Sequence, residues 1–213
     1  MKNAIIIGAG PGLSTGLAQK FGNEDFQIGL ISRNPQKLES QVSDLSKQGI
    51  KAFYATADAY RSAQLDKAID DLKSQMGSVH TLIYNAAALK MKNLMEETTE
   101  EIVEDFKIST ANAFHTVKKL HPDLKTEKGV VLFTGGAFAL QPSAQFGSLS
   151  LGKSALRNLA FQLNDSLKED GIFVGTVTID GYIQHESETH SPAILAEKFW
   201  QLHQERSQIE IQY

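Results

Sequence analysis

A doubly wound α/β domain, with helices on both faces of a parallel sheet, is predicted by three observations. Short apolar runs rich in Val, Ile and Phe alternate with longer amphipathic segments along the whole chain. The first run, Ile5-Ile6-Ile7, leads into a glycine turn, Gly8-Ala9-Gly10-Pro11-Gly12, and then a helical pattern. No repeat, low-complexity stretch or linker divides the 213 residues, a length that suits one domain burying roughly 70% of its unfolded surface.

Taken in order, strands are expected at about residues 3–8, 26–32, 51–55, 79–84, 129–134, 172–178 and 208–212. Helices are expected near 12–22, 35–48, 61–76, 99–121, 147–169 and 192–206. Ser32-Arg33-Asn34-Pro35 ends the second strand and opens a helix, with proline at a first-turn position. Glu127-Lys128-Gly129 turns into Val130-Val131-Leu132-Phe133. Leu156, Leu159, Ala160, Leu163 and Leu167 keep helical spacing and read as core, until Asp170-Gly171 closes the helix before Ile172-Phe173-Val174.

Composition narrows the function classes. Hydrophobic residues make up 41% and charged residues 22%, ordinary for a globular protein. A net charge of −4 with no local Lys/Arg cluster gives no footprint for nucleic acid. The absence of cysteine excludes disulfides, thiolate metal sites and cysteine nucleophiles. Lys2 precedes an apolar run, but Gly10-Pro11-Gly12 breaks it, and no stretch approaches the roughly 20 apolar residues of a membrane span. A soluble cytoplasmic protein without a membrane partner is expected.

The opening segment carries binding chemistry. Gly8 permits the tight exit from the strand, and Gly12 removes a side chain where backbone must approach a pyrophosphate. The following helix then offers free N–H groups and a partial positive charge to phosphates. No Gly-Lys-Ser/Thr follows, so this is not a Walker loop.

With these residues the chain resembles the short-chain dehydrogenase/reductase family along nearly its whole length. The family's T-G-x-x-x-G-x-G is similar to Ile7-Gly8-Ala9-Gly10-Pro11-Gly12-Leu13-Ser14, with its first and last positions changed. Asp58 matches an aspartate that bonds the adenine amine. Tyr84-Asn85-Ala86-Ala87 resembles N-N-A-G, beside the adenosine, and Asp180-Gly181-Tyr182-Ile183 resembles the turn whose backbone meets the nicotinamide carboxamide. The resemblance implies a single Rossmann-type domain over 1–213, with seven strands in order 3-2-1-4-5-6-7. It also implies a bound nicotinamide dinucleotide, a small-molecule substrate, and a homodimer or homotetramer joined through the helices near 99–121 and 147–169.

Cofactor preference follows from the end of the second strand. Enzymes preferring NAD place a carboxylate there for the ribose 2′-hydroxyl. Here stand Ser32 and Arg33, with no carboxylate until Glu39. A guanidinium bonds a 2′-phosphate bidentately, a contribution of roughly 1.5–3 kcal/mol or about 10- to 100-fold. NADP is expected, with NAD as the alternative.

The chemical end departs from the family pattern. There a tyrosine gives a proton to the carbonyl oxygen, and a lysine four residues on bonds the ribose and lowers the tyrosine pKa. Lys153 matches the lysine, but Leu149 stands at the tyrosine position and no tyrosine lies within 134–153. Thr134-Gly135-Gly136 puts glycine where the family's serine is expected, and Ser109 occupies the asparagine position, with Asn112 a turn later as a substitute. Loss of a general acid takes about 3–5 kcal/mol from transition-state stabilisation. Lys153 and Tyr182 are therefore the catalytic candidates, with Tyr182 as first choice for a replacement acid. Ser148, Ser150, His115 and His185 follow it. The reading is an NADP(H)-dependent oxidoreductase on a small carbonyl or alcohol, against a nucleotide-binding protein without turnover.

Overall fold

The computed structural model describes residues 1–213. Its strands are β1 (Lys2–Ile7), β2 (Phe26–Ser32), β3 (Ala52–Thr56), β4 (Thr81–Tyr84), β5 (Val130–Thr134), β6 (Phe173–Thr178) and β7 (Glu210–Gln212). They form one parallel sheet in the order β3-β2-β1-β4-β5-β6-β7, as expected. The helices are α1 (Leu13–Asn23), α2 (Pro35–Lys47), α3 (Ser62–Met76), α4 (Thr99–Phe106), α5 (Asn112–Glu127), α6 (Gly147–Leu167) and α7 (Pro192–Glu205).

Strands buried on both faces read as continuous apolar runs, and Thr81–Tyr84 and Val130–Thr134 are buried at every position. Alternate residues serve two cores. Ile5, Ile7, Leu82, Val131 and Phe133 pack under α3, α5 and α6. Ala4, Ile6, Ile83, Val130 and Leu132 pack with residues of α1, α2 and α7. The crossover direction reverses between β1 and β4. That leaves a crevice outside their carboxyl ends, where ligands of open α/β sheets bind.

Two features differ from expectation. The single helix anticipated over 99–121 is α4 and α5 joined by a π-helical segment, Lys107–Ala111. It also continues past Pro122 to Glu127. Proline removes the bond to the Lys118 carbonyl, but Lys118 is exposed, so water can replace the lost donor. Lys128, in the left-handed conformation, finally ends α5.

Candidate active site

The glycine turn lies at the carboxyl end of β1. Gly8 has φ +87°, and a Cβ there would fall 2.5 Å from the Ala86 nitrogen, so both conformation and space require glycine. The amides of Gly8 and Ala9 both donate to Ile31 O, which pins the turn to β2. At Gly10 and Gly12 a Cβ would meet nothing within 4 Å. Gly12 caps α1 without a side-chain bond, leaving first-turn N–H groups of that helix free for an anion.

Ser14, at the changed last position of the motif, turns inward. Its hydroxyl accepts from Gly10 N at 2.7 Å and donates to Gly10 O at 2.7 Å, so it braces the turn from inside. Thr15 and Gln41 also donate to the Gly10 carbonyl, at 3.0 and 2.5 Å. Gln41, on α2, is a turn-bracing residue with no signal in the sequence. Leu13 is buried and serves the core.

The adenosine-side candidates cluster at the ends of β2, β3 and β4. Ser32 is half-buried and accepts Ala57 N through its carbonyl, while Arg33 is exposed. Asp58 is half-buried, and its carboxylate accepts Tyr60 N at 2.9 Å in a tight turn. Asn85 donates to Gly8 O at 3.0 Å and accepts from the Thr134 hydroxyl at 2.9 Å, with Ala86 buried beside it.

On the other side of the crevice, Lys153 sits in the second turn of α6 with only 8% of its surface exposed. Its amine donates to Thr134 O at 2.7 Å, and no acid pairs with it. Burial lowers its pKa from 10.5 to about 8. Gly136 faces the same side chain: a Cβ there would touch Lys153 Cε at an ordinary 3.5 Å. Leu149, one turn before the lysine, is buried.

The asparagine substitute is not where sequence suggested. Asn112 donates to Ala59 O at 2.6 Å and holds the β3–α3 connection, because the π-helical segment rotates the residues that follow it. Ser109 is buried, accepts Ala88 N at 3.2 Å and lies against Gly152 of α6.

The reserve proton donors are all engaged. Ser148 donates to Asp105 at 2.6 Å, Ser150 pairs with Ser143, and His115 lies 2.8 Å from Asp66. His185 reaches back from the segment after β6 to Pro11 O at 2.9 Å, which draws that segment across the glycine turn. Tyr182 is 81% exposed, and Ile183 follows it on the rim. No group of three or more acidic or histidine side chains is placed to hold a metal ion. No helix is long and apolar enough to cross a membrane.

The glycine turn, the uncapped α1 and the lysine on α6 lie on one sheet edge, the arrangement of a dinucleotide oxidoreductase. The short chain dehydrogenase family model matches residues 2–190, and the chain belongs to that family. It is 24% identical over 169 residues to 3-oxoacyl-[acyl-carrier-protein] reductase of Staphylococcus epidermidis, covering 75% of this chain and 69% of that one. Two solved structures share the fold. One is an alcohol dehydrogenase from the archaeon Thermococcus sibiricus complexed with 5-hydroxy-NADP (TM-score 0.88, 19% identity, 100% of this chain and 96% of that one). The other is the NADPH-bound short chain oxidoreductase of Pseudomonas aeruginosa PAO1, containing an atypical catalytic center (TM-score 0.89, 16% identity, 99% of this chain and 95% of that one).

Proposed function

We propose that this protein is an NADP(H)-dependent oxidoreductase acting on a carbonyl compound or its alcohol. One observation carries the reading: an open, uncapped glycine turn at the end of β1 faces a crevice whose far wall holds the acid-free amine of Lys153. The space above Gly10 and Gly12 fits a diphosphate, and the exposed guanidinium of Arg33 fits a 2′-phosphate. The NADP-type ligands of the two structural relatives support that choice.

When bound, a reduced nicotinamide supplies the hydride. The chain then has three tasks. The first turn of α1 would hold the diphosphate, and the Lys153 ammonium would bond the ribose hydroxyls. Tyr182 gives the proton to the carbonyl oxygen: it is the exposed hydroxyl within the Gly181–Ile183 turn, and Leu149 and Gly136 offer no donor. The outer faces of α4, α5 and α6 expose Val103, Phe106, Phe114, Leu151 and Phe161, which supports association of two or four copies through these helices.

A second reading is favoured by Leu149 and Gly136 themselves: a protein that binds NADP(H) without turning it over. NADPH oxidation with a broad carbonyl panel, in wild type and Tyr182→Phe, separates the two. Tight calorimetric binding with no consumption by any substrate sinks the oxidoreductase reading. Equal affinity for NADPH and NADH, unchanged in Arg33→Ala, sinks the cofactor assignment.

A further inference from the structure

The rim of the crevice is apolar and short of free cations. Three loops leave the carboxyl ends of adjacent strands β4, β5 and β6, and backbone bonds tie them into one surface. Gly147 N donates to Lys92 O at 3.2 Å, and Ala137 N donates to Ile179 O at 2.9 Å. Exposed on these loops stand Leu89 (80%), Met91 (81%), Met95 (89%), Tyr182 (81%), Leu140 and Ile183. With Leu94 they are seven of the chain's 14 exposed large hydrophobic residues. Single exposed apolar residues are ordinary, but such a concentration at a cleft marks a binding surface.

The charges around it point the same way. The loop 135–146 contains no ionisable residue. Lys90 lies 2.9 Å from Glu97 and 2.8 Å from Asp105, and Lys92 lies 2.7 Å from Glu101, so both cations are neutralised within the protein. Asp180, Glu186 and Glu188 on the β6 side are exposed acids. Of Lys90, Lys92 and Lys153, only the amine of Lys153 lacks an acid partner, and the proposed reading assigns it to the cofactor ribose.

We propose that the substrate end of this crevice takes a neutral, predominantly apolar carbonyl compound or alcohol and rejects carboxylates and phosphate-bearing esters. The proposal rests on the oxidoreductase reading for the location of the site. A small molecule is the occupant because the apolar rim is continuous with the Gly136–Lys153 wall and opens from the same sheet edge as the glycine turn.

The test is calorimetry on the full chain saturated with NADP⁺, using hexanol, octanol, decanol and octanoate as probes. Affinity should rise about 3- to 4-fold per added methylene, and octanoate should bind at least about 10-fold more weakly than octanol because its charge must be desolvated. The double variant Leu89→Ser/Met91→Ser, altered only at exposed positions, should keep NADP⁺ affinity and thermal midpoint while flattening the per-methylene gain below about 2-fold. Equal binding of octanol and octanoate, or a chain-length dependence that survives the double variant, overturns the proposal. So does an oligomer that the double variant dissociates while alkanols fail to bind, since the rim would then be a face between copies. Failure to bind NADP⁺ sinks the oxidoreductase reading separately, and the same alkanol series on the unliganded protein then decides this proposal.

Discussion

Lys153 donates a 2.7 Å hydrogen bond to the main-chain carbonyl of Thr134 from an almost fully buried position. With no carboxylate beside it, burial alone sets its pKa near 8 against 10.5 for a free lysine. Between these values the unfolded chain keeps a proton that the folded chain releases, so this group makes stability rise with pH across that window. Urea unfolding of wild type and Lys153→Met at about pH 7.5 and 10 should show the wild type gaining about 2 kcal/mol relative to the variant. Parallel curves would mean that the amine is solvated.

A second pH response comes from a buried histidine pair. His80 Nδ1 lies 2.8 Å from the Thr81 hydroxyl, which lies 3.1 Å from His203 Nε2, among Phe21, Phe26 and Trp200. Burial first, then nearby cations, lowers the two pKa values from 6.5 to about 4 and about 3. As pH falls below 6.5 the unfolded chain takes up protons that the folded pair refuses, and stability drops. Between pH 7 and about 4.5 wild type should lose about 2 kcal/mol more than His203→Phe, measured by denaturant midpoints.

The glycine turn separates folding from binding within three residues. Gly8→Ala should destabilise by about 2–4 kcal/mol, from its left-handed conformation and the collision with Ala86. Gly10→Ala should leave stability within about 0.5 kcal/mol but weaken NADPH, because its Cβ would enter the open space over the turn. Thermal melts with calorimetry on both variants check the contrast. Comparable loss of stability at both positions would contradict it.

These outcomes bear on what was legible in the chain. The seven strands lie within two residues of their expected starts and ends; five of them, β1, β2, β4, β5 and β6, are largely buried and carry the apolar run that marks such a strand. Gly8, Asn85 and Lys153 stand out in the sequence because motif and position coincide, and all three reach the carboxyl ends of the strands. The engagement of Ser14 inside the turn, the placement of Asn112 on Ala59 and the reach of His185 to Pro11 do not. His185 and Pro11 are 174 residues apart in the chain, and only the folded backbone pairs them. The end of α5 was missed because Pro122 normally stops a helix, whereas here its freed carbonyl faces water.

The last strand is held by an ion pair as well as by its backbone bonds to β6. Arg157 on α6 holds Glu210 of β7 by two bonds of 2.8 and 2.7 Å, and the Glu210 side chain is only 8% exposed. This pairing, with the Thr178 hydroxyl, holds the Glu210 carboxyl below the usual carboxylate range. Arg157→Ala should cost about 2–4 kcal/mol by stranding that carboxylate, and adding Glu210→Gln should recover part of the loss. A double-mutant cycle with no coupling would refute the assignment.

Asn85 gives the crevice a property that no single contact carries. Its amide grips the Gly8 carbonyl on one side and the Thr134 hydroxyl on the other, while the Thr134 carbonyl is the acceptor for Lys153. The phosphate end and the lysine end are therefore linked through side chains as well as through the sheet, like two jaws on a common pin. One side chain thus spans the distance between the Gly8 turn and the residue whose carbonyl receives Lys153, so the two walls keep a fixed spacing.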